Sequence, residues 1–217
     1  MRPEGILAVA LTLFSAGCAS GSPGHAAAPA TGARHAAAFD ESAAPMPRYH
    51  SKRLALSLPL PGRAWRIDDH SAPYLVATHE LTRSTVVVAI LRADAIVGRA
   101  GCDEMARERR LLPEGPLQVL EDEVTMTREV FDTRVLVSLE SGAGPQGPLV
   151  GHVTAVGGFL RKCYVFAFTT AVDDVTDEAV LSGRLAVARA RILGGLDFDA
   201  FATPSRASPS PTPPPSR

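Results

Sequence analysis

The sequence predicts an α+β protein: a mainly antiparallel sheet of about seven strands, with one internal and one C-terminal helix. Three observations carry this expectation. Apolar residues recur with a period of two through most of residues 54–170, two segments recur instead with helical spacing, and strands and helices do not alternate regularly as a doubly wound sheet requires.

Leu54, Leu56, Leu58 and Leu60 alternate with Ala55, Ser57 and Pro59, which places the leucines on one face of a half-buried strand. Pro59, Pro61 and Gly62 break it before Ala64-Trp65-Arg66-Ile67, and Asp68-Asp69-His70-Ser71 mark the next turn. Residues 74–81 read as another strand. A tight connection through Thr82 and Arg83 leads into residues 84–91, whose near-continuous Val-Val-Val-Ala-Ile-Leu run suits a strand covered on both faces at the sheet centre.

The pattern changes at Gly101. Asp103 and Glu104 fall in a first turn, Arg107, Arg109 and Arg110 in a last turn, and Pro113 stops the segment, which describes a short, correctly polarised helix. Its expected inner face is Cys102, Met105, Ala106, the stem of Arg109, and Leu112. Residues 117–127 and 133–140 return to strand chemistry, a loop at 142–148 follows, and residues 149–156 form the next strand up to Gly157-Gly158. Residues 164–170 place Tyr164, Phe166 and Phe168 on one face as core. Residues 177–194 close the fold as a helix with Leu181, Leu185, Ala188 and Ile192 as its apolar stripe and Thr176 as N-cap.

This element order, with the Leu58-Pro59-Leu60-Pro61-Gly62 to Trp65 turn, resembles the PsbP-like fold, also found in small periplasmic lipoproteins of the DcrB type. The resemblance covers residues 52–199. It implies a sandwich of sheet and helices and a docking or assembly role, and it carries no catalytic residue onto this chain.

Both ends differ in kind from the domain expected over residues 48–200. Met1-Arg2, an apolar stretch from Ile6 to Phe14, and Ser15-Ala16-Gly17 before Cys18 have the anatomy of a secretory signal over residues 1–17. The apolar stretch is far short of the roughly 20 residues that cross a bilayer as a helix. Ser15-Ala16-Gly17-Cys18 resembles the lipobox of bacterial lipoproteins, which implies lipidation at Cys18, although Ser15 stands where that motif usually has a large aliphatic residue. The alternative is ordinary signal-peptidase cleavage and a soluble product. By the same resemblance, Ala19 in place of aspartate implies the outer rather than the inner membrane.

Residues 18–47 then read as the lipidated cysteine and a flexible Ala/Gly/Ser/Pro tether, with a root-mean-square reach of about 30 Å. Residues 201–217 read as a disordered Pro/Ser-rich tail. Charge is nearly balanced, 22 Lys+Arg against 23 Asp+Glu, with no basic run, so nucleic acid is not an expected partner. The expected partners are a membrane, through the N-terminal lipid, and an envelope protein or the cell wall.

Candidate chemistry is sparse. Cys102 and Cys163 are the cysteines left once Cys18 is acylated, and an even pair in an oxidising compartment suggests a disulfide, with two buried free thiols as the alternative. Residues 142–147 spell GxGxxG, but a strand pattern follows and Pro145 and Pro148 remove amide donors, so a hairpin loop is the better account. His79-Glu80 begins like HExxH, yet Arg83 stands where the second histidine belongs. His79 and His152 on separate strands could approach one another but lack an evident third ligand. Asp68-Asp69-His70 and Glu121-Asp122-Glu123 lack the spacing of a calcium loop and read as solvated charges.

No catalytic residue, metal ligand or cofactor site is assigned, and the balance leans against an enzyme. The leading expectation is a membrane-anchored lipoprotein with a non-catalytic docking domain. The alternative is a small-ligand-binding protein or enzyme using a pocket between sheet and helix, with His79, His152, Trp65 and Tyr164 as the groups to examine.

Overall fold

Ten strands and two helices make up the domain in a computed structural model, which describes residues 38–39, 46–70, 73–127, 130–142 and 147–201. The signal segment, Cys18, Ala19, most of the expected tether, residues 143–146 of the GxGxxG loop and residues 202–217 of the expected tail lie outside the described residues. Phe201, expected to begin that tail, instead ends a 3-10 turn, Asp199–Phe201, and packs among aromatic rings.

Seven strands form one antiparallel sheet: β3 (Arg66–Asp68), β4 (Leu75–His79), β5 (Ser84–Arg92), β6 (Gln118–Thr127), β7 (Phe131–Ser141), β8 (Leu149–Phe159) and β9 (Lys162–Val172). Their spatial order is β3-β4-β5-β9-β8-β7-β6. The α+β class expected from the sequence is the one found. The Val-rich strand β5 is interior but one place off centre, and the aromatic strand β9 occupies the middle. A second sheet of three strands joins β1 (Arg48–Ser51), β2 (Leu56–Pro59) and β10 (Asp197–Phe198) in the order β1-β2-β10.

The two helices cover opposite faces of the large sheet. On one face, α2 (Glu178–Val187) and its π-helical continuation Ala188–Leu193 bury Leu181, Leu185, Ala188 and Ile192 against Phe166, Phe168, Val153 and Val137. Leu56 and Leu58 of the small sheet complete that core; each fully buried leucine contributes about 1.5–3 kcal/mol. On the other face α1 (Arg99–Glu108) packs Cys102 and Ala106 on Ala89, Val156, Cys163 and Val165. Successive residues of β9 thus serve the two cores in turn, as a period of two dictates.

Several local expectations are corrected. The first strand is a hairpin: β1 pairs with β2, while Leu54 sits in the turn beside Ala55, whose φ is 51°. Helix α1 begins at Arg99 with Gly98 as N-cap, which leaves no acid in its first turn; Asp103 instead pairs with Arg107 one turn on. Arg109 is exposed and forms no part of the inner face. Thr176 is not an N-cap. The Asp174 carboxylate accepts from its N–H at 2.8 Å and caps a 3-10 turn that feeds α2.

Gly157 and Gly158 do not end β8 but lie within it. A Cβ on Gly157 would meet the Phe131 ring at 2.6 Å, and one on Gly158 would meet the Val97 carbonyl oxygen at 2.7 Å. The two glycines admit an aromatic ring on one face and the start of α1 on the other. Phe39, inside the expected tether, is buried, with its ring 5.9 Å from Trp65 and 6.2 Å from Phe168.

Candidate functional site

The residues singled out from the sequence do not converge. His79 pairs with Ser84 across β4 and β5, whereas His152 pairs with Thr169, which faces Thr85. Neighbouring residues of β5 point to opposite faces, so the two histidines lie on opposite sides of the sheet and share no site.

His79 belongs to a filled, hydrogen-bonded cluster. Its Nε2 is 3.0 Å from the Arg63 carbonyl oxygen and its Nδ1 2.8 Å from Thr82 Oγ1. A carbonyl only accepts, so Nε2 carries the proton and Nδ1 accepts from the Thr82 hydroxyl. Thr82 Oγ1 lies 2.8 Å from Ser84 Oγ, which lies 2.9 Å from Thr170 Oγ1. Arg184 of α2 then donates to the carbonyls of Thr82 and Ala171 and to Thr170 Oγ1. Trp65 packs on His79 with ring centres 5.1 Å apart and donates to the Pro61 carbonyl. Burial pushes the His79 pKa down, opposed by its bond to Arg63. Thr82, Ser84, Thr170 and Arg184 were not singled out from sequence. The available signal was Arg184 itself, one turn after Leu181 on the apolar stripe.

His152, also buried, places Nδ1 3.2 Å from Thr169 Oγ1. Its Nε2 is 3.6 Å from Glu140 Oε2, beyond hydrogen-bond length and without another partner among the described residues. Burial lowers its pKa, with Glu140 acting in the opposite direction. The acidic candidates have partners of their own. Asp69 is buried against Arg53 and the Tyr49 hydroxyl; Asp122 takes a two-point bond from Arg134, and Glu121 and Glu123 pair with Arg189. Asp68 Oδ1 accepts from the His70 N–H.

Cys102 and Cys163 form a disulfide across 61 residues, with Cα atoms 5.3 Å apart, that fastens α1 to β9. Tyr164 stands in an aromatic cluster with Phe131, Phe198 and Phe201, its ring centre 4.9–5.4 Å from theirs. Burial alone raises the pKa of its hydroxyl. It borders two clefts. One, of about 410 Å3, separates the sheet from the C-terminal helix and is lined by Phe131, Val135, Phe166, Leu193 and Phe198, with Glu123 and Arg189 among its polar groups. The other, of about 580 Å3, lies beyond Phe159 and Phe201. Of the four groups marked for a ligand pocket, only Tyr164 lines either.

The other conspicuous feature is the edge strand β6. It runs ten residues, is exposed at every position but Thr127, and among the described residues pairs only with β7. Val119, Leu120, Val124 and Met126 on it are each about half exposed. Its three acids are held by Arg189 and Arg134 of the domain itself.

Fold and surface define an α+β domain with a long open sheet edge and two clefts that meet at Tyr164. The sequence matches no known protein family and no curated protein. Solved structures similar to it include cyanobacterial PsbP (CyanoP) from Synechocystis, with TM-score 0.45, 10% identity, and coverage of 70% of this chain and 92% of that one. LpqN of Mycobacterium tuberculosis, involved in cell envelope biogenesis, aligns with TM-score 0.38 and 18% identity over 66% of this chain and 87% of its own. A Bacteroides thetaiotaomicron protein aligns with TM-score 0.37 and 10% identity over 70% of this chain; the chain spans about half, 47%, of its length. At these identities and scores no residue role or activity carries over from them.

Proposed function

We propose that the chain is an exported envelope lipoprotein, anchored through acylated Cys18, whose domain docks an extended segment of a protein partner along β6 without catalysing a reaction. The single observation that supports this is the open edge of β6. A long edge strand presents a row of unpaired N–H and C=O groups, the template on which another chain adds a strand. Soluble domains blunt such edges with charge, but here Glu121, Asp122 and Glu123 are turned onto Arg189 and Arg134, leaving aliphatic side chains beside the open groups. The outer membrane is the destination favoured by Ala19.

Membrane fractionation of Cys18→Ser tests the anchor: release of the variant is the expected result, and retention as firm as wild type removes it. In-cell crosslinking of a tagged chain with Cys18 intact tests docking. A dominant partner, lost when the domain but not the tail is deleted, is expected; capture of background lipoproteins alone contradicts it.

A second reading rests on the 410 Å3 cleft between sheet and helix, a volume and an apolar lining suited to a small apolar ligand. A long-chain fatty acid that raises the unfolding midpoint of wild type but not of a variant with Ala155→Phe would favour it.

A further inference from the structure

At one end of the large sheet, the β8–β9 turn and the loop from β5 to α1 form a tip that carries exposed aliphatic and cationic side chains. Ile96 is 80% exposed and Leu160 59% exposed. Backbone bonds tie them together, Val97 N–H to the Leu160 carbonyl at 2.8 Å and Ala93 N–H to that of Arg161 at 2.9 Å. The Cys102–Cys163 disulfide braces the same elements from behind. Leu160 holds φ at 55°, a left-handed conformation that bulky residues seldom adopt.

Arg92, Arg161 and Lys162 stand around these side chains, all exposed. Arg92 and Lys162 are direct cross-strand partners, a placement in which like charges repel. Arg66 pairs with Glu80, Arg83 with Asp173 and Arg107 with Asp103. Among the described residues no carboxylate pairs with the three cations of the tip, and Asp94 is the one acid in its loop. Beside the cations opens the 580 Å3 cleft, walled by Phe159, Tyr164 and Phe201.

We propose that this tip docks on a membrane surface carrying anionic phospholipids, with Ile96 and Leu160 entering the headgroup layer and Arg92, Arg161 and Lys162 meeting phosphates. Projecting aliphatic side chains ringed by cations are the arrangement that settles into a bilayer interface, and an anionic surface relieves the repulsion between Arg92 and Lys162. The inference depends neither on docking at β6 nor on acylation of Cys18. It adds a second contact, one that lays the domain against the bilayer.

The test is vesicle binding by the full chain carrying Cys18→Ser, so that no acyl chain contributes; the N-terminal apolar stretch is common to every variant and cancels. Binding to vesicles of phosphatidylglycerol in phosphatidylcholine is expected to exceed binding to phosphatidylcholine alone and to fall as salt rises. Combining Arg92→Gln, Arg161→Gln and Lys162→Gln weakens it on the order of a hundredfold, at roughly fivefold per cation. Ile96→Ser with Leu160→Ser weakens it as well, with the unfolding midpoint little changed because both side chains are mostly exposed. Equal binding by the cation-free variant, or equal binding to the two kinds of vesicle, overturns the proposal. So does displacement by inorganic phosphate, the mark of a small-anion site, and so does a vesicle-independent dimer that Ile96→Ser dissolves.

Discussion

The guanidinium of Arg184 on α2 donates to the main-chain carbonyl of Thr82 at 2.9 Å, joining residues 102 apart in sequence across a fully buried contact. The same nitrogen bonds the Ala171 carbonyl at 3.0 Å. Burial lowers the pKa of this arginine, with Asp177 opposing, and the bonds to carbonyls offset its desolvation. Arg184→Met keeps the stem and strands the acceptors, so it is expected to destabilise the domain by about 3 kcal/mol. For a domain of this size that lowers the thermal midpoint by about 10 °C. A midpoint equal to wild type would show that the network contributes nothing.

The disulfide closes a long loop and so restricts the unfolded chain. Across 61 residues, the chain-entropy relation gives about 4 kcal/mol. Cys102→Ser, or reduction of wild type, should cost about that much in a urea titration. Labelling of the denatured, unreduced chain should find no free thiol at Cys102 or Cys163; reaction at both contradicts the bridge.

Acid should weaken the fold through two histidines. His79 and His152 both have pKa values lowered by burial from the ordinary 6.5. Below that value the unfolded chain takes up protons that the folded chain resists, so stability is lost as pH falls through 6.5 toward the folded-state values. Urea midpoints at pH 7.5 and pH 5.5 measure the loss, and His152→Gln reduces the difference between them. A midpoint that rises on acidification has the wrong sign for this account.

Two glycines should respond oppositely to alanine. At Gly158 a Cβ meets main-chain atoms of Val97 and Gly98 at 2.7 and 2.9 Å, which cannot swing aside, so Gly158→Ala costs about 1–3 kcal/mol. Gly183, on the exposed side of α2, has nothing within 4 Å, and Gly183→Ala gains up to about 1 kcal/mol. Calorimetry of Gly158→Ala measures how closely the start of α1 rests on β8, and calorimetry of Gly183→Ala serves as the control on the open side of α2.

The sequence made the core legible where burial and periodicity coincide. Leu56, Leu58 and Leu60, the Tyr164-Phe166-Phe168 face and the Leu181-to-Ile192 stripe all sit where spacing places them, and the cysteine pair joins the two elements expected. What escaped depends on contacts distant in the chain. The two-residue strand β10 has no periodicity of its own and exists because β2 offers it an edge. Gly157-Gly158 carries the composition of a strand break, and only the approach of Phe131 and α1 explains its place within β8. Nothing local in the sequence tells which face His79 and His152 take; the β4–β5–β9–β8 register assigns them opposite faces. The exposure of β6 follows from its place at the end of the strand order, which no local pattern states.

The most direct measurement of the central claim is site-specific photo-crosslinking in cells, in the full chain with Cys18 intact. A photoreactive residue replaces Val124 on β6 or, separately, Leu81, which is 57% exposed beside β4 near the other edge of the sheet. The account predicts one dominant crosslinked protein from position 124, absent from position 81 and lost when Met126→Lys is added. A product of equal strength from both positions, or none from position 124, would contradict docking along β6.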